Sequence, residues 1–252
     1  MSEILQTLQP YGCTSVSLEE LPLPLDGSQD RSTLLIVASE NMMEMLEEAV
    51  EEAGTMVDFV EGHLASVQGM DKTEAFRRIV KAFLAYIDLP PEQKTLEGKS
   101  LNEIYTAYAA VWAGETLIDE ALVASSMSPT DIDAEWIEAR IEDELLQLPL
   151  TSQTCYHAPL IVPMGGFNEC PLAEYQAAVF RSWQEEYGFT PVVVTQDTWV
   201  GRAHRLPQSD EEALQLAKEH FMFCQYVMET FETLGQYAAY LKLHHQWYFW
   251  WD

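Results

Sequence analysis

Apolar positions recur at helical spacing over much of the first part of the chain. Met42, Met45, Leu46, Ala49, Val50 and Ala53 follow Asn41 and Glu44, which are spaced as a capping box, and Gly54 supplies a stop. Asp71 with Glu74 opens a second helix, with Phe76, Ile79, Val80, Phe83, Leu84 and Ile87 on one face, ended by Pro90-Pro91. Ser100 with Glu103 opens a third, carrying Ile104, Tyr105, Tyr108, Val111 and Trp112. Ser128-Pro129, a capping residue followed by Pro at the first helical position, predicts a fourth through Ile132, Trp136, Ile137, Ile141 and Leu145. Before these helices, Leu34 to Ala38 is a strand-sized apolar run, far short of the ~18 residues that span a bilayer.

The pattern changes after a boundary at Leu148-Pro149-Leu150-Thr151-Ser152-Gln153-Thr154. Leu160-Ile161-Val162, a short apolar run, leads into Gly165-Gly166, and Pro171 precedes a helix with Tyr175, Val179, Trp183 and Tyr187 on one face, closed by Gly188. The β-branched Pro191 to Thr195 reads as a strand, so the spacing fits a βαβ unit with a right-handed crossover. A further strand is expected near Trp199 to His204, then one or two helices from Ser209, with Glu212 as its capping partner, to Leu243. Trp247-Tyr248-Phe249-Trp250-Trp251-Asp252 is expected to form a buried final strand, because the alternative, five exposed aromatics, is a solubility liability.

Charge divides the chain in the same way. Of 41 acids against 13 Lys and Arg, net −28, residues 1–150 hold 29 acids and 8 bases, whereas residues 151–252 hold 12 and 5. Between Arg31 and Lys72 there is no base at all, and from Asp131 to Glu144 seven acids face Arg140 alone. With 48% hydrophobic residues a core can still form, so the acids are not the mark of a disordered tail. A polyanion is repelled by this excess, which argues against nucleic acid and against anionic membrane surfaces as partners. The acids Glu44, Glu47, Glu48, Glu51, Glu52, Asp58, Glu61, Asp131, Asp133, Glu135, Glu138 and Glu142 form either a solvated helical face or a surface for a basic protein. Met42, Met43 and Met45 would pack in the core or join that surface. MSEILQTLQPYG has no basic stretch ahead of an apolar one, so a cytoplasmic location is expected, where Cys13, Cys155, Cys170 and Cys224 would be buried thiols.

Gly166-Phe167-Asn168-Glu169-Cys170-Pro171, Trp183 with Tyr187-Gly188, Ala217-Lys218-Glu219-His220-Phe221-Met222-Phe223-Cys224 and the terminal aromatic run, in that order, resemble the bacterial family of unknown function DUF4253 over roughly residues 155–252. The chain departs from the family's usual pattern at Gln225-Tyr226 and at Phe189-Thr190. The resemblance implies no catalytic role, cofactor or ligand.

The residues themselves suggest two chemistries. His220 and Cys224 are four apart on one helix face, and Cys170 lies in a loop after a predicted strand; with Glu169 or His204 they could supply zinc ligands. Alternatively Cys170 is a nucleophile with His220 as base and Asn168 or Glu169 orienting the imidazole. Packed thiols, a hydrogen-bonded core histidine and helix or turn capping by Asn168 and Glu169 explain the same letters. Gly165-Gly166 lacks the phosphate-loop pattern, and no cofactor is expected. The sequence thus predicts an α+β protein: an acidic, mostly helical region over 1–150 with a short strand near 34–38, and a small α/β domain with a mixed sheet over 151–252. Its expected role is protein interaction, of the immunity or antitoxin kind, with a basic toxin or effector as partner. A small enzyme or metal-binding domain built on Asn168, Glu169, Cys170, His220 and Cys224 is the alternative.

Overall fold

The computed structural model describes residues 2–25, 33–151 and 153–252; Arg31 and Ser152, named above, lie outside the described residues. Six strands form one mixed sheet: β1 (Thr14–Ser15), β2 (Thr33–Val37), β3 (Leu145–Pro149), β4 (Thr190–Val194), β5 (Thr198–Arg202) and β6 (Gln246–Trp250), in the spatial order β1-β3-β2-β4-β5-β6. Among the described residues only the β2–β4 pair runs parallel. The described helices are α1 (Glu3–Leu8), α2 (Glu40–Ala53), α3 (Met56–Gly69), α4 (Lys72–Tyr86), α5 (Leu101–Ala109), α6 (Ala134–Glu138), α7 (Ala158–Ile161), α8 (Ala173–Tyr187), α9 (Asp210–Phe223) and α10 (Leu234–Leu241). The fold is α+β, as expected.

The sheet passes through the boundary read near residue 150. β3 pairs with β2 from Thr33↔Pro149 to Val37↔Leu145, and β2 pairs in turn with β4. The helical block α2–α6 is therefore an excursion between two neighbouring strands, and both parts of the chain contribute to one core. Alternation along the strands separates two layers. Leu34, Ile36, Leu146, Leu148, Trp199, Trp247 and Phe249 face a large cluster with α2, α3, α4, α8 and α9; Leu35, Val37, Leu145 and Val200 face a small one closed by Ile132, Trp136 and Ile137. The expected final strand is β6, and Trp247, Phe249 and Trp251 are buried. Trp183 is their centre, stacked on Phe249 at 5.4 Å and edge-on to Trp247 at 5.4 Å.

Four local expectations need correction. Ser39, not Asn41, caps α2, accepting from the Met42 N–H at 3.3 Å, while Asn41 reaches across to Gln196 at 2.9 Å. No helix starts at Ser128-Pro129, because the backbone there is already bonded elsewhere: Thr130 O accepts from Gln246 and Ile132 O from the Leu25 N–H. Asp133 instead caps the five-residue α6, and Leu145 belongs to β3. Leu160 and Ile161 lie in the helical turn α7, with Pro159 in its first turn, so the βαβ unit predicted over 160–195 does not form. A fully buried apolar run is compatible with either element, and here no strand partners it. No helix among the described residues is long and apolar enough to cross a membrane.

Candidate functional site: the 165–172 loop and its clefts

The segment between α7 and α8 is held in unusual backbone geometry. Gly165 (φ 142°), Gly166 (φ 80°), Asn168 (φ 40°) and Glu169 (φ 62°) all have positive φ, and the last two pay for it with a Cβ. The Gly166 N–H donates to Cys170 O at 2.9 Å and the Cys170 N–H to Phe167 O at 2.7 Å, closing the turn. A Cβ on Gly165 would stand 2.0 Å from Pro171 O, so glycine is required.

Gln176, completely buried on α8, fastens this turn. Its Nε2 donates to Pro171 O at 2.6 Å and to Met164 O, and lies 3.6 Å from Cys170 Sγ; its Oε1 accepts from Trp199 Nε1 at 2.7 Å. Nothing in the sequence pattern signalled Gln176, since a polar residue amid helix positions ordinarily faces water.

The candidate chemical cluster is partly assembled. Asn168, Glu169 and Cys170 share the loop, but neither Asn168 nor Glu169 caps α8, whose N-cap Leu172 offers no side-chain acceptor. Asn168 Nδ2 donates to Asp252 O, and Glu169 accepts from Tyr226 OH at 3.4 Å. Cys170 is buried, and burial pushes its thiol well above the ordinary value, with nearby Cys224 adding to the rise. Burial likewise pushes Cys224 up to about 12, and its Sγ donates to Trp250 O at 3.1 Å. His220 is held within Trp183, Trp247 and Phe249; Nδ1 meets Tyr237 OH at 2.7 Å, Nε2 has no hydrogen-bond partner among the described residues, and burial lowers its basicity well below the usual value. No hydrogen bond joins His220 to either thiol, and His204 is exposed beside Gly188. Among the described residues no group of three or more His, Cys, Asp and Glu is placed to hold a metal ion.

The buried carboxylate Glu219, next to His220, was also not anticipated. It pairs with Lys72 Nζ at 2.9 Å and accepts from Trp183 Nε1 at 3.0 Å.

The loop, the buried Cys224 and the aromatic strand β6 thus form one packed unit with α8 and α9, and the residues that build it coincide with a recognisable family signature. Residues 147–252 match the family model of DUF4253, a domain of unknown function. No curated protein and no solved structure matches the chain. The DUF4253 match begins inside β3, so it takes in the end of that strand and all of β4, β5 and β6, while β1, β2 and the helices α1–α6 lie outside it.

Three clefts meet at the DUF4253 loop. One of about 970 Å³ lies against α4. Two others, of about 340 and 350 Å³, lie along α2: Glu48 and Glu52 with Met45 and Phe59 line the first, and Glu44 and Glu48 with Phe167, Asp197 and Trp251 line the second.

The two acidic blocks lie on opposite sides of the sheet. Glu44, Glu47, Glu48, Glu51, Glu52, Asp58 and Glu61 are exposed on α2 and α3, which pack on the large core. Asp131, Glu135, Glu138 and Glu142 are exposed around α6, which covers the small core, and Asp133 is half-buried as the α6 cap. None of these twelve acids has a Lys or Arg within 4.0 Å among the described residues; His63 Nε2, 3.9 Å from Glu52, is the nearest ionisable partner seen. Arg140, the sole base of the second block, is laid over the Trp136 ring at 4.1 Å and donates to Trp136 O. Met42 is core, whereas Met45 is half-buried and borders both clefts along α2.

Proposed function

We propose that this protein acts by binding a basic protein partner on the α2–α3 face, as an immunity or antitoxin type of protein would block a cationic toxin or nuclease. The observation that carries the reading is that the acids of α2 and α3 are left unpaired by Lys or Arg among the described residues and that Glu44, Glu48 and Glu52, unlike the acids around α6, border clefts, while bases elsewhere pair with Glu74, Glu97, Glu120, Glu186, Asp210, Glu212 and Glu219. Like charges gathered on one helix repel each other, a cost that a cationic partner would remove. The clefts beside α2 fit the same chemistry: each sets carboxylates over an apolar floor, which suits the aliphatic stem and charged head of Lys or Arg. The acids around α6, across the sheet, are read as a solvated face and are assigned no partner. The alternative chemistry at Cys170, His220 and Cys224 gains nothing from thiols raised by burial and an imidazole engaged with Tyr237.

The test is affinity capture from a bacterial lysate with the wild-type chain and two charge variants. Glu44, Glu47, Glu48 and Glu51 are changed to Gln in one, and Asp131, Glu135, Glu138 and Glu142 to the corresponding amides in the other. The reading expects a basic protein retained at low salt, lost with the first variant and kept by the second. A basic partner retained equally by both variants, or none at all, overturns it.

A further inference from the structure

The cleft of about 970 Å³ between α4 and the 166–172 loop differs in character from the rest of the surface. Its size falls in the range of small-molecule sites. Three of the chain's 13 Lys and Arg, namely Arg77, Arg78 and Lys81, border it. Its walls are apolar at the mouth: Tyr86 is 89% exposed and Leu172 50%, large side chains left open to solvent on both banks, with Phe167 and Tyr175 beside them.

Three bases, Arg77, Arg78 and Lys81, and three acids, Glu74, Glu97 and Glu169, line the cleft. Arg77 is committed to the fold, with Nε on Leu96 O at 3.1 Å, Nη2 on Lys99 O at 3.2 Å and Nη1 on Glu74. Arg78 commits Nε to Glu74 at 2.8 Å and lies 5.8 Å from the centre of the Tyr175 ring; Lys81 commits one donor to Glu97 at 3.2 Å. A guanidinium carries five N–H groups and an ammonium three, so both keep donor capacity. The acids are already engaged: Glu74 by two guanidinium groups, Glu97 by Lys81 and the Leu96 N–H, Glu169 by Tyr226 OH.

We infer that this cleft binds a small organic anion with an aromatic or extended apolar body, its anionic group meeting Arg78 and Lys81 and its body lying along Tyr86, Phe167 and Leu172. The cleft shares Phe167 and Leu172 with the clefts beside α2, but Arg78, Lys81 and Tyr86 line it alone. Its preference runs against the net charge of −28, which repels anions from the molecule as a whole.

The probe is the anionic fluorophore 8-anilinonaphthalene-1-sulfonate, titrated into the folded full chain, with the uncharged N-phenyl-1-naphthylamine as comparison. The expected result is saturable binding of one probe per chain, with the neutral analogue weaker by about ten-fold, the worth of one charge-assisted contact. Arg78→Gln combined with Lys81→Gln removes that preference, Tyr86→Ser weakens both probes, and Glu47→Gln with Glu51→Gln changes neither. The Arg78 and Lys81 side chains are 45% and 63% exposed, so thermal unfolding of the variant should match wild type. Absence of saturable binding, equal affinity for the neutral analogue in wild type, or undiminished preference in the Arg78/Lys81 variant overturns the inference.

Discussion

Trp199 on the central sheet donates its indole N–H to Oε1 of Gln176 at 2.7 Å, and both side chains are completely buried. Through this bond β5 holds α8's amide, and the amide holds the carbonyls of Met164 and Pro171 on either side of the loop. Gln176→Leu keeps the volume but leaves a buried indole N–H and two carbonyls without their partner. The expected loss is about 3 kcal/mol of stability, since each unsatisfied buried group costs ~1–3 kcal/mol. Denaturant unfolding measures it, and a loss under about 1 kcal/mol would show that the loop is held by other contacts.

Lys72 and Glu219 give a pH-dependent prediction. Burial raises the Glu219 carboxyl above its ordinary range, although Lys72 pulls it down; burial lowers the Lys72 ammonium, but Glu219 and Glu186 more than offset this and hold it above its usual value. With a folded pKa above the unfolded one, native Glu219 takes up a proton first as pH falls. Its contribution is therefore most favourable at low pH and declines as pH rises through the folded pKa. Lys72→Met removes the compensating cation and pushes the carboxyl higher still. The variant should lose about 3 kcal/mol near pH 8, the scale for breaking a buried pair. The deficit should shrink as pH is lowered towards the carboxylate range, and a deficit constant across pH contradicts the assignment.

Thiol chemistry separates the packed reading of the cysteines from the reactive one. All four are buried and none is in a disulfide, and burial, acting first in each, pushes Cys13 and Cys155 up to about 11 and Cys224 up to about 12. The native protein should therefore release almost no chromophore from a disulfide reagent such as dithionitrobenzoate at about pH 8, and all four thiols should react once it is unfolded. Fast native reaction of one thiol, lost in Cys170→Ala, would restore the nucleophile reading.

Much of the fold was legible from periodicity and caps. Asp71, Ser100 and Ser209 open α4, α5 and α9 where their capping residues predict, and Gly188 closes α8 in the left-handed conformation. Pairing across the chain was less so: Leu34 to Val37 is apolar throughout because both its faces are covered, a pattern that marks a central strand but not its partners. Leu160-Ile161 and Ser128-Pro129 misled because tertiary bonds and burial overrode local preference. The loop around Cys170 was found by its letters. What fixes it, Gln176 from below and Asp252 from across the molecule, acts through contacts 6 and 84 residues away in sequence, with no local signal. Net charge pointed to an acidic surface, but its division between two sides of the sheet depends on the return of β3 beside β2.

The claim that the α2–α3 acids form a binding face, and are not merely a share of a uniformly acidic surface, is tested most directly with a defined cation. Nona-arginine is titrated into wild type, into the variant with Glu44, Glu47, Glu48 and Glu51 changed to Gln, and into the variant with the same number of acids around α6 neutralised, at low and high salt. The two variants carry equal net charge, so long-range attraction falls equally in both. The account predicts that the α2 variant binds about ten-fold more weakly than the α6 variant, with the larger loss of salt sensitivity. Equal weakening of the two variants would contradict it and leave the charge as a property of the whole surface.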